Sequence, residues 1–280
     1  MDRPVDRHRV ANEPPFPCEW LRLVLIMSPF TDMRESREFA SELKFVVSRA
    51  LAEKIRDWAR ARMSPDPNAS DGSVDAYQIT SLYFDTSHFD AFHRRGSFGR
   101  SKYRIRRYGA SEVAFLERKL KTRGLLSKRR SVVKLDDLNR LGESAPDRGW
   151  AGYWYHRRLR ARRLNPVCQI SYRRTARVAM TDYGPMRLTL DDDICARGAN
   201  ELVFDGDAEG VRLSEEQIII ELKYRCEMPV LFKLLVEEFA LNPQPISKYR
   251  LAAVTLGLVR ESISSATANR PPDVPLCLTF

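Results

Sequence analysis

Apolar and polar positions alternate over several stretches of the chain, and this period of two is typical of β-strands with one buried face. The clearest run covers residues 101–130, where residues 109–111 and 122–124 supply turns between three predicted strands. Similar alternation predicts further strands at 38–47, 77–84, 168–179, 186–194 and 217–224. The pattern therefore predicts a meandering antiparallel sheet of at least seven strands, which favours a closed barrel.

Helical patterns occupy shorter stretches between these strands. Ser48 is placed to cap a helix over residues 49–63, whose apolar positions form one inner stripe. Pro229 suits the first turn of another helix, and a last helical segment begins near residue 247. Residues 152–164 are predicted as a basic helix or loop. We expect these helices to lie outside the barrel.

Proline-rich ends flank this patterned region. Residues 1–36 are mixed in charge and hold several prolines, which predicts a flexible N-terminal extension. Residues 261–280 are predicted as a flexible C-terminal tail for the same reason. The regular pattern between them predicts one domain over residues 37–260.

Composition adds a charge imbalance to this picture. The formal net charge of the 280 residues is +10, which points to a polyanionic partner such as nucleic acid, anionic lipid or a phosphate compound. No apolar run approaches the ~18 residues that cross a bilayer. The five cysteines are scattered without a CxxC pair, which suits the cytoplasm and predicts neither a disulfide framework nor a zinc site. The run RRLRARR at 157–163 is either a solvated helix face or a docking site for a polyanion or acidic lipid.

Cations gather on one face of the three strands in 101–130. Lys102, Arg104 and Arg106 share a face, opposite Tyr103 and Ile105. Burying them unpaired would be too costly, so this face meets either water or an anion. A solvated outer sheet is one interpretation. An anion channel is the other, and phosphate is the anion that several arginine forks bind best.

Acidic residues near these cations are the candidates for metal binding. Glu117 sits among the cations of its strand, as a metal ligand or a charge-orienting group would. Asp85 is predicted to cap a turn. Asp191 and Asp193 are predicted on one face of their strand, where pairing with arginines and metal binding both stay open.

Nine short stretches, in order between about 38 and 258, resemble the VTC domain. This is the polyphosphate polymerase domain of the vacuolar transporter chaperone complex, in the triphosphate tunnel metalloenzyme superfamily. The stretches are ELKF at 42–45, SLYFDT at 81–86, KYRIRRY at 102–108, FLERKLK at 115–121, SKRR at 127–130, YRRTA at 172–176, RLTLDDD at 187–193, IIELKY at 219–224 and SKY at 247–249.

The resemblance implies an α+β fold, in which an antiparallel eight-stranded β-barrel forms a triphosphate tunnel with flanking helices. It implies that basic tunnel residues bind phosphate and that acidic ones bind a divalent metal, Mn²⁺ or Mg²⁺. The implied substrate-binding residues are Lys44, Arg104, Arg106, Lys119, Lys128, Arg174, Arg187, Lys223 and Lys248. The implied catalytic residues are Arg104, Arg106, Lys128, Arg174 and Glu221, and the implied metal ligands are Glu221, Glu117 and Glu42.

Two positions depart from the family pattern. Ala40 stands where the first glutamate of an ExExK strand is common in the superfamily, so only Glu42 and Lys44 of that motif are present. Arg177 stands where an aromatic residue often follows the Tyr-x-Arg-Thr-Ala run. The first departure weakens the acidic end of the implied metal site.

The resemblance implies a metal-dependent phosphotransferase that moves the γ-phosphoryl group of ATP onto a growing polyphosphate chain. Two alternatives stay open: a triphosphatase acting on inorganic or nucleoside triphosphates in the same tunnel, and a non-enzymatic polyphosphate-binding module. The expected partners are ATP and polyphosphate, without specific nucleic-acid recognition or a transmembrane segment; a membrane-protein partner is left open. A polymerase also predicts a tunnel open at both ends, with exit cations at Arg107, Lys121, Arg123, Arg129 and Arg130.

Overall fold

The computed structural model of the protein describes residues 33–35, 40–66, 75–122, 125–204 and 210–259. Most of the predicted extension and the whole predicted tail therefore lie outside the described residues. Residues 33–35 form a short strand, so the sheet already begins inside the segment predicted as an extension.

Within these ranges, eight long strands build a single antiparallel sheet, as the alternation predicted. They are β2 (Ala40–Ser48), β4 (Ala76–Asp85), β5 (Arg100–Tyr108), β6 (Val113–Thr122), β7 (Leu125–Lys134), β8 (Asn165–Thr181), β9 (Gly184–Gly198) and β11 (Gln217–Arg225). Three short strands join them: β1 (Met33–Glu35), β3 (Ser64–Pro65) and β10 (Val211–Arg212).

The strand order is β1-β7-β6-β5-β4-β8-β9-β11-β2, with β10 beside β9 and β3 beside β8. Among the described residues β1 and β2 do not pair, so the backbone ladder is not closed. The sheet nevertheless curls. This is seen from a contact between strands that are far apart in the strand order: the Lys119 ammonium on β6 lies 2.8 Å from the Glu42 carboxylate on β2. The predicted eight-stranded tunnel fold is confirmed in this barrel-like, unclosed form.

In the described part of the chain, five helices accompany the sheet: α1 (Arg49–Arg62), α2 (Asp90–His93), α3 (Tyr153–Arg162), α4 (Val230–Glu238) and α5 (Lys248–Thr255). Short 3₁₀ turns cover Gly96–Phe98 and Leu135–Gly142. The predicted cap of α1 is confirmed, since the Ser48 hydroxyl accepts from the Leu51 amide at 3.3 Å. Each described helix is too short or too polar to cross a membrane.

Three helices cover the outer face of the sheet. Ile55 of α1 and Phe232 of α4 pack with Leu188 and Ile220 over β2, β9 and β11. Tyr155 of α3 belongs to a second cluster over β4 to β7. Full burial of each such side chain contributes roughly 1.5–3 kcal/mol. The outer positions under these helices are therefore mostly apolar, and the charged site residues lie at inner positions.

Helix α5 lies on the inner, concave side. Its Ala252 and Ala253 are fully buried in a cluster with Ile79, Ile170 and Ile219, which are inner positions of β4, β8 and β11. Apolar side chains and α5 thus fill one end of the concave face. The predicted tunnel open at both ends has no support in the described residues.

The β8–β9 ladder contains an irregularity that separates the two candidate aspartates. The register shifts between Ser171 and Arg173, and Asp193 has φ of 49°. Asp193 is thereby turned to the outside, where its carboxylate lies 3.1 Å from the Arg49 guanidinium of α1. The prediction that Asp191 and Asp193 share a face is wrong, because an extra residue on β9 breaks the alternation.

Candidate functional site

The concave face gathers the predicted site residues from seven strands and one helix. β2 supplies Glu42 and Lys44, and β11 places Glu221 and Lys223 opposite them in register. The other strands supply Arg104, Arg106, Glu117, Lys119, Lys128, Arg174 and Arg187, and α5 supplies Lys248. Alternation along each strand is what aims these side chains inward.

Two carboxylates lie side by side on neighbouring strands. The Lys44 ammonium is 3.0 Å from Glu42 Oε1 and 3.0 Å from Glu221 Oε1, so it bridges them. Lys119 pairs with the other Glu42 oxygen at 2.8 Å, and Lys223 pairs with the other Glu221 oxygen at 3.0 Å. The two acceptors therefore converge on one cation position.

The charge state of this pair suits a cation. Burial raises the pKa of Glu221, but Lys223 and Lys44 outweigh it and hold that pKa well below its usual range. The pKa of Lys44 is raised against the effect of burial by Glu221 and Glu42. Both carboxylates thus stay ionised near neutral pH. Hard divalent ions such as Mg²⁺ bind to one or two protein carboxylates and complete their shell with substrate oxygens, so the pair fits such an ion.

Glu117 has cation partners of its own, different from those of that pair. Arg104 Nε donates to Glu117 Oε2 at 2.6 Å, and Arg130 Nε is 3.2 Å from Oε1. Although burial opposes it, Arg104, Arg106 and Arg130 hold the pKa of Glu117 well below its usual range. Among the described residues no three acidic, histidine or cysteine side chains cluster for a metal. Of the two roles considered for Glu117, this geometry fits the charge-orienting one.

Neutral hydroxyl groups fix the two central arginines. Arg106 donates to Ser81 Oγ at 3.1 Å and to the Tyr172 hydroxyl at 3.0 Å. The Tyr83 hydroxyl accepts from Arg104 at 3.3 Å. Sequence reasoning missed these three partners, although alternation in SLYFDT places Ser81 and Tyr83 on one face.

Asp191 is the buried centre of a third group. Its oxygens accept from Arg174 Nε and Nη2 at 2.6 and 2.7 Å, and from Lys248 Nζ at 2.5 Å. Lys248 also lies 4.9 Å over the Tyr172 ring. Of the two alternatives for Asp191, pairing with cations is the one the structure shows. The pairing also attaches the first turn of α5 to the inner face.

Other predictions for acidic and cationic residues are resolved locally. Asp85 caps a turn as predicted, accepting from the amides of Thr86, Ala91 and Phe92 at 2.8 to 2.9 Å. Arg187 lies inward but pairs with Asp66 at 2.6 Å. Sequence reasoning missed this acidic partner because Asp66 lies in a loop that is distant from β9 along the sequence.

The cations predicted to line an exit do not share one location. Arg130 is central on β7 and pairs with Glu117, whereas Arg129 stacks 4.4 Å over Trp154 of α3 on the outer face. Arg107 donates to the Ser111 carbonyl at a strand end. Residue 123 and the side chain of residue 121 lie outside the described residues. The exit prediction is wrong for Arg129 and Arg130 because β7 extends to residue 134.

Lys102 lies at the edge of the cationic group. Its ammonium donates to Ser247 Oγ at 2.9 Å. Burial, followed by repulsion from Lys44, Lys119 and Arg104, lowers the pKa of Lys102 to about 7. Its charge therefore changes near neutral pH, and a bound anion would favour the charged form.

Several inner cations remain open to a ligand, while most of the inner carboxylates are buried; the Glu42 side chain is 20% exposed. The side chains of Lys44, Arg104, Lys119, Arg130, Arg187 and Lys223 are between 19% and 38% exposed. In contrast, Glu117, Asp191 and Glu221 are less than a tenth exposed. A ligand entering this face meets positive charge first, which defines a site for a multiply charged anion.

An antiparallel tunnel-like sheet with inward lysines and arginines defines the triphosphate tunnel class of proteins. The chain belongs to the VTC domain family of that class, whose family model matches residues 39–256. This confirms the resemblance drawn from the nine motifs.

Comparison with individual proteins adds distant likenesses. Among curated proteins, none matches the chain. Solved structures include a candidate adenylate cyclase of Bacillus halodurans, with TM-score 0.49, 16% identity and coverage of 77% of this chain and 96% of that one. A candidate adenylyl cyclase of Hippeastrum with a dominant triphosphatase activity has TM-score 0.41, 13% identity and coverage of 77% and 95%. The PH1012 protein of Pyrococcus horikoshii has TM-score 0.40, 12% identity and coverage of 76% and 98%. These likenesses are too distant to assign an activity.

Proposed function

We propose that the protein is a metal-dependent polyphosphate polymerase, which transfers the γ-phosphoryl group of ATP to the end of a polyphosphate chain. The observation that carries the proposal is the carboxylate pair Glu42 and Glu221 within a face where cations outnumber acids. Cations bind phosphate oxygens, and the pair offers a position for a divalent ion. Membership of the VTC domain family supports the same conclusion.

The proposed reaction is a direct transfer that needs no covalent enzyme intermediate. A terminal oxygen of the polyphosphate attacks the γ-phosphorus of ATP. The bond between that phosphorus and the β–γ bridging oxygen breaks, and ADP leaves with the electron pair. Such a transfer needs mainly positioning and neutralisation of charge. Arg104 and Lys223, whose side chains are partly exposed on the concave face, are suited to hold the phosphates.

Glu221 and Glu42 would hold Mn²⁺ or Mg²⁺, with phosphate oxygens completing the shell. When bound, such an ion neutralises charge on the phosphate oxygens. Lys44 bridges the same two carboxylates in this structure, so it would shift toward substrate as the ion enters.

The carboxylates of the concave face are weak bases, which supports transfer to phosphate over transfer to water; the groups there with a pKa near neutral pH include Lys102 and Tyr108. Water needs a general base to become a good nucleophile, and efficient bases have pKa values near the working pH. Cations hold the pKa values of Glu117, Asp191 and Glu221 well below their usual range. A terminal phosphate is already ionised and needs only cations to position it.

A triphosphatase is the second candidate, and the position of α5 favours it. α5 and the inner apolar cluster fill one end of the concave face, and a short product suits a tunnel with one open end. A polymerase with this geometry must instead release its growing chain on the side where the ATP enters.

The test incubates purified protein with ATP and Mn²⁺, then resolves long polyphosphate on a gel and measures orthophosphate in solution. A polymerase gives chains that lengthen with time, and ADP in proportion to the phosphate in the chains. Orthophosphate alone, with no chain at any divalent metal tried, would assign the triphosphatase.

Lys102 gives a prediction for pH dependence. Its pKa of about 7 means that it loses its charge as pH rises from 7 to 9, so triphosphate affinity should fall across that range. Lys102→Arg, which stays charged, should flatten the fall. Calorimetric titration of inorganic triphosphate at each pH measures it.

Tyr108 serves as the control for that prediction. Burial raises the pKa of Tyr108, but Arg106 and Arg130 outweigh it and bring the value to about 8, so this phenol also titrates in the range. Tyr108→Phe should remove only the part of the decrease in triphosphate affinity that comes from ionisation of Tyr108. A Lys102→Arg profile identical to that of the unmodified protein would contradict the role of Lys102.

A further inference from the structure

We propose that the outer face of β6, β7 and α3 carries a second anion site, which binds a stretch of polyphosphate chain. The site consists of Arg118, Arg129, Arg158 and Arg162 and is called the outer arginine site. Its ligand is taken from the proposed function.

Arginines face one another across neighbouring strands at this site. Arg118 on β6 is the direct register partner of Arg129 on β7, on the face opposite to Glu117 and Arg130. Like charges placed directly opposite destabilise a sheet. An anion between them would turn that repulsion into binding.

Helix α3 brings two more arginines to the same place. Trp154, Arg158 and Arg162 follow one another at four-residue spacing and so form one stripe of the helix. Arg129 stacks 4.4 Å over Trp154, which fixes the stripe beside the β6–β7 row. Arg162 donates to Ser97 Oγ at 3.2 Å and lies 4.9 Å over Phe98, so its guanidinium is also held in place.

The site has unsatisfied hydrogen-bonding capacity. Arg118 Nε is buried and has no hydrogen-bond partner. In the described part of the chain, the ion pairs with acidic side chains include neither Arg118 nor Arg158. Burial and the nearby charges of Arg158, Arg129 and Arg162 lower the pKa of Arg118. Buried donors and concentrated positive charge together call for an acceptor from outside the chain.

Linked phosphates fit these features better than a lipid surface does. Arginine forks bind phosphate oxygens in pairs, and a chain of phosphates offers charge at close intervals to several arginines at once. Binding to a membrane surface usually adds exposed apolar side chains beside the cations. The exposed large apolar residues of the described chain lie elsewhere: Met180, Tyr183, Val203, Val211, Val230 and Leu234.

The outer arginine site would retain product. A chain bound there stays near the concave face after its end has left it, which raises the local concentration of acceptor. The outer arginine site should therefore strengthen the binding of long polyphosphate chains and leave the binding of a single triphosphate unchanged.

The experiment compares two double variants on one helix. Arg158→Ala with Arg162→Ala removes two members of the site, whereas Arg157→Ala with Arg160→Ala removes equal charge from other positions of α3. Affinity for labelled long-chain polyphosphate is measured at fixed salt without ATP. We expect a loss of about tenfold or more for the first variant and less than about twofold for the second.

Three results would overturn the outer arginine site. Equal losses in both variants would mean unspecific attraction by net charge, and no loss in either would mean no site. Loss of binding to phosphatidylserine vesicles with polyphosphate affinity unchanged would assign the patch to a membrane. Affinity for inorganic triphosphate should stay the same in both variants, and unfolding curves check that both remain folded. Because no catalysis is involved, a failed polymerase assay leaves this test intact.

Discussion

Glu221→Gln is expected to lower phosphoryl transfer about a hundredfold or more at low Mn²⁺ and to raise the metal concentration that gives half-maximal activity. The change keeps the shape of the side chain and removes the charge that faces Lys44 and Lys223. A neutral amide oxygen is a much weaker ligand for a hard cation, so excess metal should restore part of the activity. A metal titration of the initial rate measures both effects.

Two matched variants locate the metal. Glu42→Gln should shift the metal requirement in the same direction, because Lys44 bridges the same two carboxylates. Glu117→Gln should leave the metal requirement unchanged, since Glu117 contacts Arg104 and Arg130 instead. Full activity of Glu221→Gln at low metal would refute the assignment, as would equal shifts in all three variants.

Asp191→Asn is expected to lower the free energy of unfolding by about 3–5 kcal/mol, the range for removing one partner of a buried ion pair. Asp191 is fully buried and accepts from both Arg174 and Lys248. The amide leaves two cations without their counter-charge and loosens the attachment of α5. Urea unfolding at pH 7 gives the value.

Asp193→Asn is the control, because Asp193 is 41% exposed and meets Arg49 at the surface. It should change the unfolding free energy by less than about 0.5 kcal/mol. Arg174 and Lys248 outweigh burial and lower the pKa of Asp191, so its contribution is present above its unfolded pKa and is lost as pH falls through the folded one. The free energy of unfolding should therefore decrease less steeply with falling pH in Asp191→Asn than in the unmodified protein. Equal effects of the two variants would contradict the central role given to Asp191.

The local pattern was enough to predict the strands and most of the inward residues. Alternation over 101–130 fixed which side chains of β5, β6 and β7 share a face, and the structure has the same parity there. Turn residues between the strands marked their ends within a few positions. Period and turn chemistry are local properties, so a single sequence carries them.

Contacts between segments that are far apart in the sequence could not be predicted from local pattern. The extra residue that turns Asp193 outward depends on pairing with β8, and the partner of Arg187 is a loop residue, Asp66. The helical pattern of α5 predicts an amphipathic segment but not that it docks inside the sheet. A shared tunnel implied that Glu117 and Glu221 lie on one face, but it did not indicate that they have different cation partners.

Calorimetric titration of inorganic triphosphate without metal tests most directly whether the concave face binds triphosphate. Arg106→Ala is the variant of choice, because Arg106 is held by the neutral hydroxyls of Ser81 and Tyr172 and its loss orphans no charge. The predicted result is binding to the unmodified protein and a loss of roughly 1.5–3 kcal/mol in Arg106→Ala, the range for a charged hydrogen bond. Arg158→Ala, on the outer face, should bind as the unmodified protein does. Unchanged affinity in Arg106→Ala, or a loss confined to Arg158→Ala, would place the triphosphate outside the concave face and contradict its role as the binding site.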